Sequence, residues 1–182
     1  MEKTGLVLID IQKDYFKGGK CELFQPEAAA KQAKRLLTYF RENNLPVFHV
    51  QHISQRSDAG FFIPGTEGVK IFDDVLPIGD EPIIIKHFPD SFFQTNLKEL
   101  LDSHSVNQLV VCGMMTHMCI DTTVRAAKNF GYQVTLIEDA CTTKDLSWKD
   151  SIIQAPVVQN TFMTSLNGRF ASILSAAQWI EG

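Results

Sequence analysis

The chain has no lysine- or arginine-rich run and a formal net charge of -4, so it lacks the electrostatic footprint of a nucleic-acid or anionic-membrane binder. No apolar stretch approaches the roughly 20 residues of a membrane span. Its four cysteines, Cys21, Cys112, Cys119 and Cys141, show neither C-x-x-C nor Cys/His zinc spacing. That argues against a disulfide framework, a structural zinc and a dithiol redox pair. Repeats, low-complexity tracts and linkers are also missing, and Met1-Glu2-Lys3-Thr4 runs straight into an apolar segment without the form of a signal peptide. The expectation is one domain over residues 1–182, cytoplasmic, with reduced thiols and a small-molecule partner.

What is present is an alternation of short apolar runs with amphipathic segments. Gly5 to Ile9 reads as a strand buried on both faces, and Pro46–Val50, Pro82–Ile85, Val106–Cys112, Tyr132–Ile137 and Phe170–Leu174 as further strands. Between them, Pro26–Asn44 places Ala29, Ala33, Leu36, Leu37 and Phe40 on one helical face, opposite Lys31, Lys34, Arg35 and Arg41. Gln94–Ser103 and Asp121–Phe130 read as helices, Trp148–Leu166 as a helix kinked or broken at Pro156, and Ala176–Ile180 as a last helical turn. The pattern predicts a three-layer αβα, Rossmann-like domain with a mostly parallel sheet of about six strands. Residues 51–82 are irregular, punctuated by glycine and proline, and a loop of that length usually carries function.

Parallel strands present their carboxyl ends on one edge, where ligands bind. Two runs end there in Asp10 and Lys86, and Cys119 follows a third after a short turn, at the start of a helix. Taken singly, Asp10 reads as a turn residue, Lys86 as a solvated strand terminus and Cys119 as a buried structural thiol. Together they form a chemical set. A lysine beside a carboxylate and a thiol holds both as anions, while the carboxylate takes the thiol proton and returns it to a leaving group. Lowering a thiol pKa from about 8.5 to about 6.5 favours the thiolate by roughly 2.7 kcal/mol. One ammonium and a helix terminus are expected to supply this.

Three stretches carry a resemblance. They are Leu8-Ile9-Asp10-Ile11-Gln12 with Tyr15-Phe16, Ile85-Lys86 with Asp90-Ser91-Phe92, and Gly113-Met114-Met115-Thr116-His117-Met118-Cys119 with Thr122-Thr123-Arg125-Ala126-Ala127. In this order they resemble the isochorismatase-like cysteine hydrolases, which include nicotinamidases, N-carbamoylsarcosine amidase and ureidoacrylate amidases. The resemblance implies Asp10 as acid and base, Lys86 as stabiliser of the ionised pair, and Cys119 as a nucleophile forming a thioester. It also implies a cis peptide between Met114 and Met115, an oxyanion hole from the N–H groups of Met115 and Cys119, and a homodimer or homotetramer.

Nicotinamidases hold a metal with an Asp-x-His pair after the second strand. Here that place reads His52-Ile53-Ser54, with His49 on the opposite face, so neither a metal nor another cofactor is expected. Isochorismatases proper cleave a vinyl ether and lack the cysteine. Its presence favours cleavage of a C–N bond in a small amide, carbamoyl or ureido substrate, with ether hydrolysis or an inactive metabolite- or partner-binding homologue as alternatives. Tyr15, Phe16, Phe61, Phe62, His87, Phe88, Phe92 and His117 are the expected pocket residues. Phe61 and Phe62, between Gly60 and Pro64, form either a lid or an apolar plug.

Overall fold

Strand β1 (Thr4–Ile9) lies in the middle of a six-stranded sheet in the computed structural model, which describes residues 3–56 and 58–182. Met1, Glu2 and Ser57, within the expected strand lead-in and long loop, lie outside the described residues. Leu6, Val7, Leu8 and Ile9 are buried on both faces of β1, as an uninterrupted apolar run in a covered parallel sheet requires. The chain then moves outward through β2 (Val47–His52) and β3 (Ile83–Lys86). It crosses back to the other side of β1 for β4 (Gln108–Met114), β5 (Gln133–Thr142) and β8 (Ser172–Leu174). The order is β3-β2-β1-β4-β5-β8, every pairing parallel. Strand order reverses between β1 and β4, and the crevice at such a reversal is where open α/β sheets take their ligands.

Helices flank the sheet. In α1 (Pro26–Glu42) the expected apolar stripe is buried, and Phe40 stacks on Trp179 of α5 (Ala176–Glu181) with ring centroids 5.0 Å apart. Helix α2 (Leu97–Ser103) buries Leu97 and Leu101. Helices α3 (Asp121–Asn129) and α4 (Ala155–Leu166) meet through a hydrogen bond from Arg125 to Ser165, and α3 carries its own Asp121–Arg125 ion pair one turn apart. No helix among the described residues is long and apolar enough to cross a membrane.

Several boundaries differ from the expected ones: β5 runs on to Thr142 in place of ending at Ile137, and two helices start later. Residues 148–166 are not one kinked helix. Leu146–Trp148 (β6) and Ser151–Ile153 (β7) form an antiparallel hairpin whose turn holds Lys149 at φ 53°, and α4 begins only afterwards. Pro156 lies in the first turn of α4, where its missing N–H has no partner to lose. The Asp145 carboxylate accepts the Ala155 N–H at 2.8 Å, so these residues start the helix. The other late start is at Gln94, whose φ of 56° is left-handed. This delays α2 to Leu97, whose N–H donates to the Thr95 hydroxyl.

Candidate active site

β1 ends one residue before Asp10, which takes a left-handed φ of 52°, a conformation Asp tolerates better than most residues. Its N–H still donates to the Val50 carbonyl, so the side chain leaves a fixed backbone at the sheet edge. Lys86 is the last residue of β3 and pairs in register with His52, the last of β2. Register partners project from the same face, which brings the two side chains together. Cys119 lies in a π-helical turn, Thr116–Ile120, that runs into α3. Turns of this kind recur at functional sites. Gly113 makes the approach between β1 and β4 possible, since its φ is 134° and a Cβ there would lie 2.0 Å from the Ile9 carbonyl oxygen. The Met114–Met115 peptide that follows is cis.

The three side chains meet out of solvent. Lys86 Nζ lies 2.8 Å from Asp10 Oδ2 and 3.1 Å from Cys119 Sγ, with Asp10 and Lys86 fully buried. The ammonium also faces the Phe88 carbonyl at 3.0 Å, His52 Nδ1 at 3.3 Å and the Pro89 carbonyl at 3.4 Å. Five acceptors surround three N–H bonds, so Lys86 can move a hydrogen bond from one partner to another without leaving its place. Asp10 Oδ2 and the Lys86 ammonium form a fully buried ion pair at hydrogen-bonding distance. One donor atom from each of Asp10, His52 and Cys119 lies within 4.8 Å of the others.

The electrostatics run opposite to the expected thiolate. Burial pushes the Cys119 thiol up, the Asp10 carboxylate pushes it further, and Lys86 offsets only part of this. The balance of burial and the two neighbouring charges thus favours the thiol over the thiolate. For Lys86, burial works against the charge, but Asp10 and Cys119 outweigh it and hold the ammonium above its ordinary value. Burial lowers His52, leaving a neutral imidazole whose Nδ1 accepts from Lys86. Burial, with Cys119 and Asp10 next, raises Tyr15 well above the usual phenol range.

A cavity of about 570 Å³ lies beside this group and reaches its neighbours His52, Phe88 and Pro89, with Phe61, Phe62, His87 and Met118 also on its wall; Asp10, Lys86 and Cys119 themselves stand behind that wall. Its loop wall is tied down by Asp14, whose carboxylate accepts the Phe62 N–H at 2.6 Å and the Lys20 N–H at 3.1 Å. Tyr15 backs the wall, its ring centroid 4.7 Å from that of Phe62. Tyr15 thus stands behind the wall and not on it, and three more of the expected pocket residues lie elsewhere. Phe16 stacks on Phe72 at 3.6 Å, Phe92 packs against Phe130 and Tyr132, and His117 turns to the Thr143 hydroxyl at 2.6 Å and to Phe162. None of them is on the cavity wall. Sequence position alone hid this, because neighbours in a loop or helical turn point in different directions.

Other contributors went unread in the sequence. Gln12 is fully buried and joins three segments. Its amide donates to the His52 and Val69 carbonyls at 2.9 and 2.7 Å, and its Oε1 accepts the His52 N–H at 2.8 Å. Thr116 lies 2.6 Å from Gln159 of α4 and 3.1 Å from the Thr142 carbonyl, holding the turn that carries Cys119. His52, which the sequence marks only as the place where the metal pair is missing, stands against Lys86. The signal that could have found it was register, since β2 and β3 end level.

Residues 4–178 match the model of the Isochorismatase domain. The chain belongs to the isochorismatase family. It is 48% identical over 178 residues to the isochorismatase family protein YddQ of Bacillus subtilis, covering 98% of this chain and 99% of that one. It is 24% identical over 220 residues to the nicotinamidase of Escherichia coli, covering 100% and 99%. Among solved structures, an isochorismatase-type hydrolase from Oleispira antarctica superposes with a TM-score of 0.96 at 42% identity, covering 100% of this chain and 97% of that one. Members of the isochorismatase family are hydrolases, some of them amidases, and this chain places an Asp, a Lys and a Cys together in the manner described.

Proposed function

We propose that the protein hydrolyses a C–N bond in a small, neutral amide, carbamoyl or ureido compound, using Asp10, Lys86 and Cys119. The observation that carries this reading is the buried contact of one ammonium, Lys86, with both the Asp10 carboxylate and the Cys119 sulfur, at 2.8 and 3.1 Å. As sulfur attacks the carbonyl carbon, the S–H bond breaks and its proton passes to Asp10, while a C–S bond forms. Lys86, charged throughout, shifts hydrogen bonding from the neutralised carboxyl to the sulfur during attack. The oxyanion is held by the N–H groups of Met115 and Cys119, each typically worth about 10²–10³ in rate. Asp10 then protonates the leaving nitrogen as the C–N bond breaks. Water attacks the thioester, gives its proton to Asp10, and the acid departs as the thiol re-forms.

The cavity supports a neutral substrate. Its charged wall residues Arg56 and Asp58 pair with each other at 2.8 Å, and the imidazole of His52 is uncharged. Isochorismate, the vinyl ether of the alternative reaction, is a dianion, and the wall guanidinium of Arg56 is already paired with Asp58. Replacing Cys119 with Ala should abolish amide hydrolysis in a screen of small neutral amides while leaving the circular dichroism spectrum intact. Undiminished hydrolysis by that variant would remove the proposal.

A further inference from the structure

Two histidines on the cavity wall present opposite hydrogen-bonding groups, and their partners decide which is which. His52 Nδ1 lies 3.3 Å from the Lys86 ammonium. An ammonium only donates, so Nδ1 keeps its lone pair and the neutral ring carries its proton on Nε2. His87 Nδ1 lies 2.7 Å from the Ile53 carbonyl. A carbonyl only accepts, so here Nδ1 carries the proton and the neutral ring keeps its lone pair on Nε2. Among the described residues neither Nε2 has a hydrogen-bond partner, and both side chains are half-buried on the wall of the same cavity. Gln12 grips the His52 backbone at its N–H and at its carbonyl, and the ring lies 5.8 Å from that of Phe62. His52 ends β2 level with Lys86, and His87 follows Lys86 directly. The two rings therefore leave neighbouring strand ends, roughly 5 Å apart as paired strands are. Phe61, Phe62, Phe88 and Met118 make much of the remaining wall apolar. A fixed donor beside a fixed acceptor in such surroundings selects a ligand that offers the converse pair.

We propose that His52 and His87 form a subsite for a second amide-type group of the substrate, a carboxamide or ureide remote from the bond that is broken. The His52 Nε2–H donates to the carbonyl oxygen of this group, and His87 Nε2 accepts from its N–H. His52 meets Lys86 with one ring nitrogen and lines the cavity with the rest of its ring. A group held there stands one imidazole away from Lys86 and its partners behind the wall. A hydrocarbon in its place would leave both polar groups unpaired, which is how a site built for hydrogen bonding rejects analogues. The inference rests on the proposed amide hydrolysis for the bond cleaved, whereas recognition of the second group needs no turnover.

Binding to the Cys119→Ala variant labelled with ¹⁵N-histidine tests the pair by NMR without turnover. In the ligand-free protein the ring nitrogens should report Nε2–H for His52 and Nδ1–H for His87. Succinamide should shift both Nε2 signals. It should also bind about tenfold or more tighter than isocaproamide, in which an isopropyl group of similar shape replaces one carboxamide. His52→Phe and His87→Phe should each remove most of that preference. Because His52→Phe also takes a partner from Lys86, the tautomers and shifts of the unsubstituted rings carry the test should that variant fail to fold. The opposite tautomer at either ring, equal binding of the two amides, or no binding of succinamide would overturn the subsite. If both rings respond to succinamide but the wild type hydrolyses no amide, the subsite stands and the proposed reaction fails. Isocaproamide hydrolysed as efficiently as succinamide would keep the reaction and remove the subsite.

Discussion

Asp10 sets the behaviour of the site in two directions at once. Its charge adds to burial in raising the neighbouring thiol, and in the proposed reaction the same carboxylate is the base that takes the thiol proton. Asp10→Asn should therefore separate two readouts. Amide hydrolysis should fall by about 10²–10⁴-fold because the proton has nowhere to go. The pKa governing Cys119 alkylation should drop, because a negative neighbour has been removed while Lys86 remains. A pH series of alkylation rates on both proteins checks this, and an unchanged or higher value in Asp10→Asn would contradict it. That Asp10, Lys86 and Cys119 come together at one edge was legible in the sequence, because each ends a strand or follows one. The direction of the thiol shift was not, since it depends on how deeply Cys119 is buried and on which of two opposite charges wins.

Elements fix the walls of the site through a few polar ties. Asp14 joins the turn after β1 to the 60s loop, and a Cβ on Gly68 would sit 2.0 Å from the Asp14 carboxylate. Gly68→Ala should push that carboxylate off the Phe62 N–H and loosen the aromatic wall, so steady-state kinetics should show a raised KM with a smaller change in kcat. A second tie is the cluster of Glu81 with Arg41 of α1 and His49 of β2, at 2.7 and 2.9 Å. Although burial alone would raise it, hydrogen bonds from Arg41, the Ile78 N–H and His49 bring Glu81 down from 4.5 to about 2. A carboxylate held below its unfolded value stabilises the fold above that value, and the contribution disappears as pH falls through the folded one. Denaturation midpoints should thus decline between about pH 4.5 and 2, and Glu81→Gln should flatten part of that decline. Periodicity located most elements, but it mistook the β6–β7 hairpin for helix, because the side chains from Trp148 to Ile153 carry no turn signal stronger than the proline that follows.

For the whole molecule, the sheet order explains why so distant residues converge. Asp10, Lys86 and Cys119 come from β1, β3 and the turn after β4, and all reach the carboxyl edge on the two sides of the reversal between β1 and β4. Alternating apolar runs and helices were enough to read this architecture, and with it the shared edge. Which loop residues face the cavity was set by packing partners such as Phe72 for Phe16 and Thr143 for His117, contacts that join separate loops and elements and leave no local trace in the sequence. The most direct measurement is acid-quenched mass spectrometry of the protein during turnover of small neutral amides. The expected result is an acyl group of the substrate's mass on the Cys119 peptide, absent from Cys119→Ala. Amide consumed with no adduct on that peptide, and at the same rate by Cys119→Ala, would contradict it.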